Sequence, residues 1–376
     1  MKVAVIHDWL VTYAGAERVL AQILKCFPEA DLFAVVDHLD DAARKQLGGY
    51  SAKTTFVQGM PWSKSKYRAY LPFMPLAIEQ LDMTGYDLVI SSSHAVAKGV
   101  LTGPDQLHVS YVHSPIRYAW DLQHQYLRET GKGSGIIGWL VRYLLHRIRL
   151  WDVRSANGVD EFVCNSKYIA RRTLKAYRRP STVIYPPVDT SGFTPGAEKE
   201  DFYLTASRMV PYKRIDLIVE AFSAMPSRRL VVIGDGPEMA KIRQKAGPNV
   251  EIMGYQAFAV LKDKLQRAKG FVFAAEEDFG ILPVEAQACG TPVIAFGKGG
   301  LTETVRTLAE GKPSGLLFPE QSVEAIVAAI EQFETDHAQY TVEAAVANAA
   351  RFSEERFRNE FSAFVLNAYE RFKAGI

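Results

Sequence analysis

Arg229-Leu230-Val231-Val232-Ile233-Gly234-Asp235-Gly236-Pro237 is a short β-branched run that ends in a glycine turn and passes at once into a helix-compatible segment. The same unit recurs downstream. Apolar runs at 250–253, 270–275 and 292–296 alternate with helical patterns near 213–225, 237–246, 259–269 and 281–289. Short buried strands alternating with helices of about ten residues predict a parallel sheet covered on both faces. The first half shows the same grammar, with strands expected at 2–7, 31–36, 86–92, 107–112 and 159–164 and a helix at 16–27. The expectation is an α/β protein of two doubly wound, Rossmann-like domains. Their strand ends, and hence their ligand crevices, would face an interdomain cleft.

Tyr185-Pro186-Pro187-Val188-Asp189 supplies the joint, because two prolines stiffen the chain and stop strand pairing. This sets an amino-terminal domain at 1–186 and a carboxy-terminal domain at 187–352. Helical patterns at 323–333 and 341–374 follow, and 353–376 is a helix able to pack back on the first domain.

Composition agrees with two cores: 376 residues, 48% hydrophobic and 23% charged. A disordered chain, a collagen-like repeat and a disulfide scaffold are excluded. Cys26, Cys164 and Cys289 are far apart, with no C-x-x-C pair and no zinc spacing. No apolar run reaches a membrane span. The opening Met1-Lys-Val-Ala-Val-Ile-His-Asp8 reads as a strand rather than a leader, so a cytoplasmic protein is expected. Charge is uneven: residues 1–186 hold 23 Lys and Arg against 16 Asp and Glu, and 128–179 alone hold 12 against 4. That excess predicts an acidic partner, while the near-neutral whole argues against nucleic acid.

Several chemistries are missing. No G-x-G-x-x-G follows an expected strand, no P-loop and no G-x-S-x-G elbow occurs, and no Asp-x-Asp pair stands ready to clamp a metal diphosphate. No metal or cofactor is therefore expected. A nucleotide diphosphate would have to be met by Lys, Arg and backbone N–H groups.

Such groups exist. Glu277-Asp-Phe279-Gly280-Ile281-Leu282-Pro283-Val-Glu285 sets two glutamates across a strand-to-helix turn, with Pro283 suited to a first helical turn. The N–H groups of Gly280, Ile281 and Leu282 would then meet a phosphate. Glu285 could accept from two ribose hydroxyls, and Glu277 would face the sugar beyond. Thr205-Ala-Ser-Arg208-Met-Val-Pro-Tyr-Lys213-Arg214 offers Arg208 and Lys213 as a diphosphate clamp. Tyr111-Val-His113-Ser-Pro115 puts a histidine at a strand's carboxyl end, and Tyr13-Ala14-Gly15-Ala16-Glu17 lets a backbone approach a phosphate at Gly15 and Ala16. Taken singly, each also reads as a solvated charge, a rim histidine or an ordinary turn.

As an ordered set these motifs, with the Gly234-Asp-Gly236-Pro237 turn, resemble the retaining glycosyltransferases of family 4, which have the two-domain GT-B fold. The resemblance implies Glu285 on the donor ribose, Glu277 on the transferred sugar, and Arg208 and Lys213 on the diphosphate. It also implies Gly234, Met253 and Phe279–Leu282 around the nucleotide, and His113 touching the sugar. Transfer would retain configuration without metal, a leaving phosphate oxygen taking the acceptor's proton. Ala14 stands where many members have a glycine, which narrows that approach.

His7-Asp8-Trp9-Leu10 and Tyr111–Asp121 look like a bacterial subgroup building O-antigen, capsule and exopolysaccharide, including lipopolysaccharide, many of whose members resemble mannosyltransferases using GDP-mannose. Arg117, Trp120 and Asp121 are acceptor-side candidates, with packing roles equally open. A lipid-diphosphate-linked saccharide would explain the charge split. Ile137, Val141, Leu144, Ile148 and Trp151 recur at helical spacing beside Arg142, His146 and Arg149, and Pro61–Arg68 adds a basic aromatic patch. Both fit peripheral docking on the anionic inner face of a cytoplasmic membrane, or a core-facing helix with a solvated edge. A UDP-sugar donor, or a non-catalytic nucleotide-sugar-binding scaffold, remains the alternative.

Overall fold

The computed structural model describes residues 1–129, 131, 134–196 and 198–375. The chain forms two compact units. One combines Met1–Pro187 with the segment from Phe357 onward, and the other is Val188–Arg356. The expected helix at 353–376 ends on residue 376, which lies outside the described residues.

The first unit is built on β1 (Val3–His7), β2 (Asp31–Ala34), β3 (Lys53–Thr54), β4 (Leu88–Ser93), β5 (Leu107–Val112), β6 (Glu161–Cys164) and β7 (Thr182–Val183). All run parallel in the order β3-β2-β1-β4-β5-β6-β7. Strands β1, β4 and β5 are buried along their whole length, which is why they read as unbroken apolar or small-residue runs. The second unit holds β8 (Glu200–Ala206), β9 (Leu230–Ile233), β10 (Val250–Gly254), β11 (Ala268–Phe273), β12 (Val293–Phe296) and β13 (Gly315–Phe318). Its six strands are also parallel, ordered β10-β9-β8-β11-β12-β13. Each sheet reverses its winding at one place, between β1 and β4 and between β8 and β11. The expected α/β class is what forms. The two-residue edge strands β3 and β7, the edge strand β13, and β8 inside the second sheet have no counterpart among the expected strand ranges.

The helical pattern expected over 341–374 is two helices, Val342–Ala350 and Glu354–Lys373. The break is physical. Ser353 Oγ accepts from the Arg356 N–H at 3.2 Å, and the Phe352 carbonyl accepts from the Val188 N–H at 2.8 Å. The carbonyl thus serves a neighbouring segment instead of a longer helix. Beyond the break, Phe357, Phe361, Val365 and Ala368 join the core formed by Val5, Leu20, Leu24, Ile90 and Tyr111. Burying each of those phenyl rings contributes roughly 1.5–3 kcal/mol. The second core gathers Tyr203, Phe222, Val232, Val272, Ile294 and Phe333.

Of the two readings of helix Gly135–Ser155, the core-facing one holds for most of the expected stripe, Ile137 being exposed. The helix's inward face is Gly138, Leu145, Ile148 and Asp152. Leu145 and Ile148 pack on Ile116 and Ala119, with Val141 and Leu71 at the margin. Trp151 donates to Glu79 at 2.7 Å, and Arg149 donates to the Ala119 carbonyl at 2.7 Å. Val141, Ile148 and Trp151 therefore belong mainly to the packed side, and Arg149 is not a free surface charge. The opposite face instead presents Ile136, Trp139, Leu140, Tyr143, Arg147, Leu150 and Arg154, all exposed.

Candidate active site

In a parallel sheet the crevice beyond the carboxyl ends of the strands, where the winding reverses, is where ligands bind. In the second unit this end collects most of the residues singled out above. Ser207 and Arg208 follow β8, the Gly234–Gly236 turn follows β9, Met253 lies one residue before the end of β10, and Glu276–Gly280 follow β11. The turn is tight because glycine permits it. A Cβ at Gly234, where φ is +134°, would lie 1.9 Å from the Ser207 carbonyl oxygen. The Met209 N–H donates to the Asp235 carbonyl at 2.9 Å and the Gly234 N–H to the Gly254 carbonyl at 2.9 Å, so three strand ends are stitched together beneath Arg208. Arg208 itself is exposed and makes no ion pair among the described residues.

Lys213 ends a short turn, Pro211–Lys213, and its ammonium is paired directly with the Glu277 carboxylate. Both side chains are mostly buried. The Lys213 ammonium also lies 5.4 Å from the centre of the Phe273 ring. Glu277 is held from below: its carbonyl accepts from the Gly300 N–H at 2.8 Å. A Cβ at Gly299, where φ is +74°, would sit 2.3 Å from the same oxygen. Gly280, with φ of +89°, caps helix Ile281–Ala288. Phe279 is buried edge-on against Phe352, with centroids 5.3 Å apart. The unpaired N–H groups of that helix's first turn belong to Ile281 and Leu282 and leave partial positive charge there. Glu285, one turn on, is buried. Basic side chains, helix N–H groups and carboxylates thus lie on loops at one end of one sheet. That set suits an anionic, hydroxyl-rich ligand.

The first unit carries a second cluster at its own switch point. His7 ends β1, His94 follows β4 and His113 follows β5. Their ring centres are 6.1–6.5 Å apart. Asp8 is fully buried and accepts the N–H groups of His94, Ala95, Val96 and Ala97 at 2.5–3.0 Å. It also lies 2.9 Å from His94 Nδ1. Burial works against its charge, but the His94 and His7 rings and the backbone donors outweigh it, and the carboxyl stays well below its usual range. Burial likewise opposes a charged His94, yet Asp8 wins and its pKa is raised. His113 is pushed the other way, by burial first and then by its histidine neighbours. Gly15 and Ala16 open helix Gly15–Cys26, with the Glu17 carboxylate turned back onto the Ala14 N–H at 2.9 Å. Sequence reading found His113. The sequence reading assigns no role to Asp8, Ser92 or His94, which lie at the ends of β1 and β4 and meet only in the folded sheet.

Of the acceptor-side candidates, Trp120 donates its indole N–H at 2.7 Å to the buried Asp152, which also pairs with Lys98. Asp121 is ion-paired to Arg172 at 2.5 Å. Arg117 is half-buried and close enough to His94 for its charge to oppose that ring's.

Two parallel α/β units in tandem, each with its polar residues at the carboxyl ends of the strands, define the GT-B fold class. Solved structures agree. Anabaena HepE in complex with UDP superposes with a TM-score of 0.71 at 18% identity, covering 98% of this chain and all of that one. Sucrose-phosphate synthase from Thermosynechococcus elongatus superposes with a TM-score of 0.72 at 18% identity, over 98% of this chain and 100% of its own. Residues 13–191 match the Glycosyltransferase Family 4 domain and residues 191–351 the Glycosyl transferases group 1 domain. The chain thus carries a Glycosyltransferase Family 4 domain followed by a Glycosyl transferases group 1 domain. Among curated relatives, D-inositol 3-phosphate glycosyltransferase of Mycobacteroides abscessus is 28% identical over 219 residues, 52% of this chain and 48% of that protein. The GDP-mannose-dependent monoacylated alpha-(1-6)-phosphatidylinositol monomannoside mannosyltransferase of Corynebacterium glutamicum is 32% identical over 179 residues, 39% of this chain and 47% of its own. The chain spans about half the length of the curated relatives it matches.

Proposed function

We propose that this protein transfers a sugar, mannose from GDP-mannose in the first instance, onto a lipid-diphosphate-linked saccharide, with retention of configuration and without a metal. The observation that carries the reading is the strand-end cluster of Lys213, Glu277, Arg208, the helix opening at Gly280 and buried Glu285. In the reaction the bond from the anomeric carbon to the diphosphate oxygen breaks while the acceptor oxygen bonds to that carbon on the same face. The acceptor's proton passes to the departing phosphate oxygen. Arg208, Lys213 and the N–H groups of Ile281 and Leu282 neutralise charge gathering on the leaving diphosphate. Glu285 holds the ribose, Glu277 the transferred sugar, and His113 hydrogen-bonds a sugar hydroxyl. The named GDP-mannose dependence of the Corynebacterium relative supports the donor. The UDP held by HepE favours a second reading with a UDP-sugar.

Placement at an anionic bilayer draws support from the outward face of helix Gly135–Ser155. The only acidic residue of that helix, Asp152, is buried. Leu71, from the turn Tyr67–Phe73, packs beside Leu145 and Ile148, so Trp62, Lys64, Lys66 and Arg68 belong to a neighbouring segment of the same unit. Trp62 is 70% exposed and Trp139 66%. Exposed aromatic and aliphatic groups flanked by cations suit a headgroup layer. No helix among the described residues is long and apolar enough to cross a membrane.

Calorimetric titration with GDP and UDP in the presence of EDTA, beside Glu285→Ala, tests the donor. The expected result is GDP binding that the variant weakens at least tenfold. UDP binding alone moves the second reading to the front, and equal binding by both proteins removes Glu285 from the site.

A further inference from the structure

One line of hydrogen bonds in the first unit ends on His113. Glu17 Oε1 lies 3.4 Å from His7 Nε2, His7 Nδ1 lies 3.1 Å from Ser92 Oγ, and Ser92 Oγ lies 2.8 Å from His113 Nε2. His7 and Ser92 are fully buried and Glu17 nearly so. The line joins helix Gly15–Cys26, β1, β4 and the residue after β5.

We propose that Glu17, His7 and Ser92 form a relay that sets which ring nitrogen of His113 carries its proton, and so whether His113 offers a sugar an acceptor or a donor. These three are positioning residues, acting on substrate only through His113. The argument is directional. An ionised carboxylate only accepts, and a hydroxyl has one proton to give. The Glu17 end is fixed: burial opposes its charge, but the His7 ring and the Glu17 backbone hold the carboxyl below its ordinary value. His7 must therefore donate from Nε2. With His7 neutral, Nδ1 accepts the Ser92 proton, and Ser92 Oγ accepts from His113 Nε2–H. His113 Nδ1 is then a bare lone pair, and it has no partner among the described residues. It is the atom left for a ligand.

Adding one proton to His7 reverses the line. Nδ1–H now donates to Ser92, Ser92 donates to His113 Nε2, and His113 carries its proton on Nδ1. His113 stays neutral throughout, exchanging its proton between the two nitrogens through solvent. The charged or titratable groups facing His7 are Glu17 from the helix, Asp8 from the end of β1, His94 after β4 and His113 after β5. Asp8 is occupied by four backbone N–H groups and His94. That leaves Glu17 as the carboxylate His7 reaches.

The inference rests on the proposed function only for the identity of the ligand; the tautomer is read in the free protein. Ring-15N-histidine protein, with His113 assigned from the signal lost in His113→Ala, reports the protonated nitrogen by NMR. At alkaline pH the expected proton is on Nε2, and it moves to Nδ1 as the pH falls. Ser92→Ala should uncouple the two rings, leaving His113 without that pH-dependent exchange. Glu17→Gln, which removes the negative charge beside His7, should move the exchange to lower pH. In transfer assays Ser92→Ala should lower kcat by roughly tenfold, the scale of one hydrogen bond to a reacting group, with KM for the donor little changed. A wild-type His113 protonated on Nδ1 at high pH overturns the relay, as does an exchange that survives intact in Ser92→Ala. The wild-type titration decides even if a variant fails to fold. Absence of transfer with the exchange present would sink the activity and leave the relay standing.

Discussion

A lysine that pairs with a glutamate on its own unit is a charge held in place, and Lys213 illustrates what that does for a reaction. Its ammonium is fixed by Glu277 and seated over Phe273, so little side-chain freedom remains to be lost when a diphosphate arrives. Lys213→Ala is expected to lower kcat/KM for transfer by about 2–4 kcal/mol, the range of single groups that stabilise developing charge. Steady-state kinetics with the donor found by titration would measure it. The Asp8–His94 pair makes a second residue-scale prediction. Asp8 has its pKa lowered, so its contribution is present above about 3.8 and lost as the pH falls. His94 has its pKa raised, so its contribution is complete below about 6.5 and lost as the pH climbs through the folded value. The destabilisation of His94→Gln, read from urea midpoints, should be largest between these limits and shrink on both sides. His113 was legible because one histidine at one strand end suffices to raise the question. Asp8, Ser92 and His94 were not, since their relation exists only once β1 and β4, about 85 positions apart in sequence, lie side by side.

At the scale of elements, periodicity identified most of the central strands, β8 excepted, because strands buried on both faces leave no polar alternation to confuse. It failed where two faces of one helix are both apolar. In 135–155 the buried and exposed stripes differ by half a turn of the wheel, and no pattern says which meets the core. The break at Ser353 had a local signal, a serine followed by two glutamates in the first turn, which suits a helix start. On the proposed bilayer reading, Trp139→Ser with Tyr143→Ser should weaken binding to anionic vesicles by an order of magnitude or more and leave nucleotide affinity intact. Co-sedimentation and calorimetry on the same preparation check both halves. Equal sedimentation of variant and wild type would remove this face from the bilayer reading.

Over the whole molecule, the first unit is made of two stretches separated by the second. Phe361 is fully buried and stacks on Phe357 with ring centres 5.5 Å apart. Phe361→Ala should cost about 3–5 kcal/mol. Chemical denaturation should show that loss in the first unit's transition, while the transition of the second keeps its midpoint. Tyr111 gives the reason: its ring meets both phenyl rings at 5.8–6.0 Å, and its hydroxyl donates to the Ile184 carbonyl at 2.9 Å. A chain emerging from the ribosome meets this arrangement in an awkward order. The half that is translated first is finished last, waiting with an apolar trough open until some 170 further residues have been added and the second unit has had time to close. Its closing piece then arrives already tethered at a fixed spot, which limits wrong partners but leaves a window in which holding chaperones have something to hold.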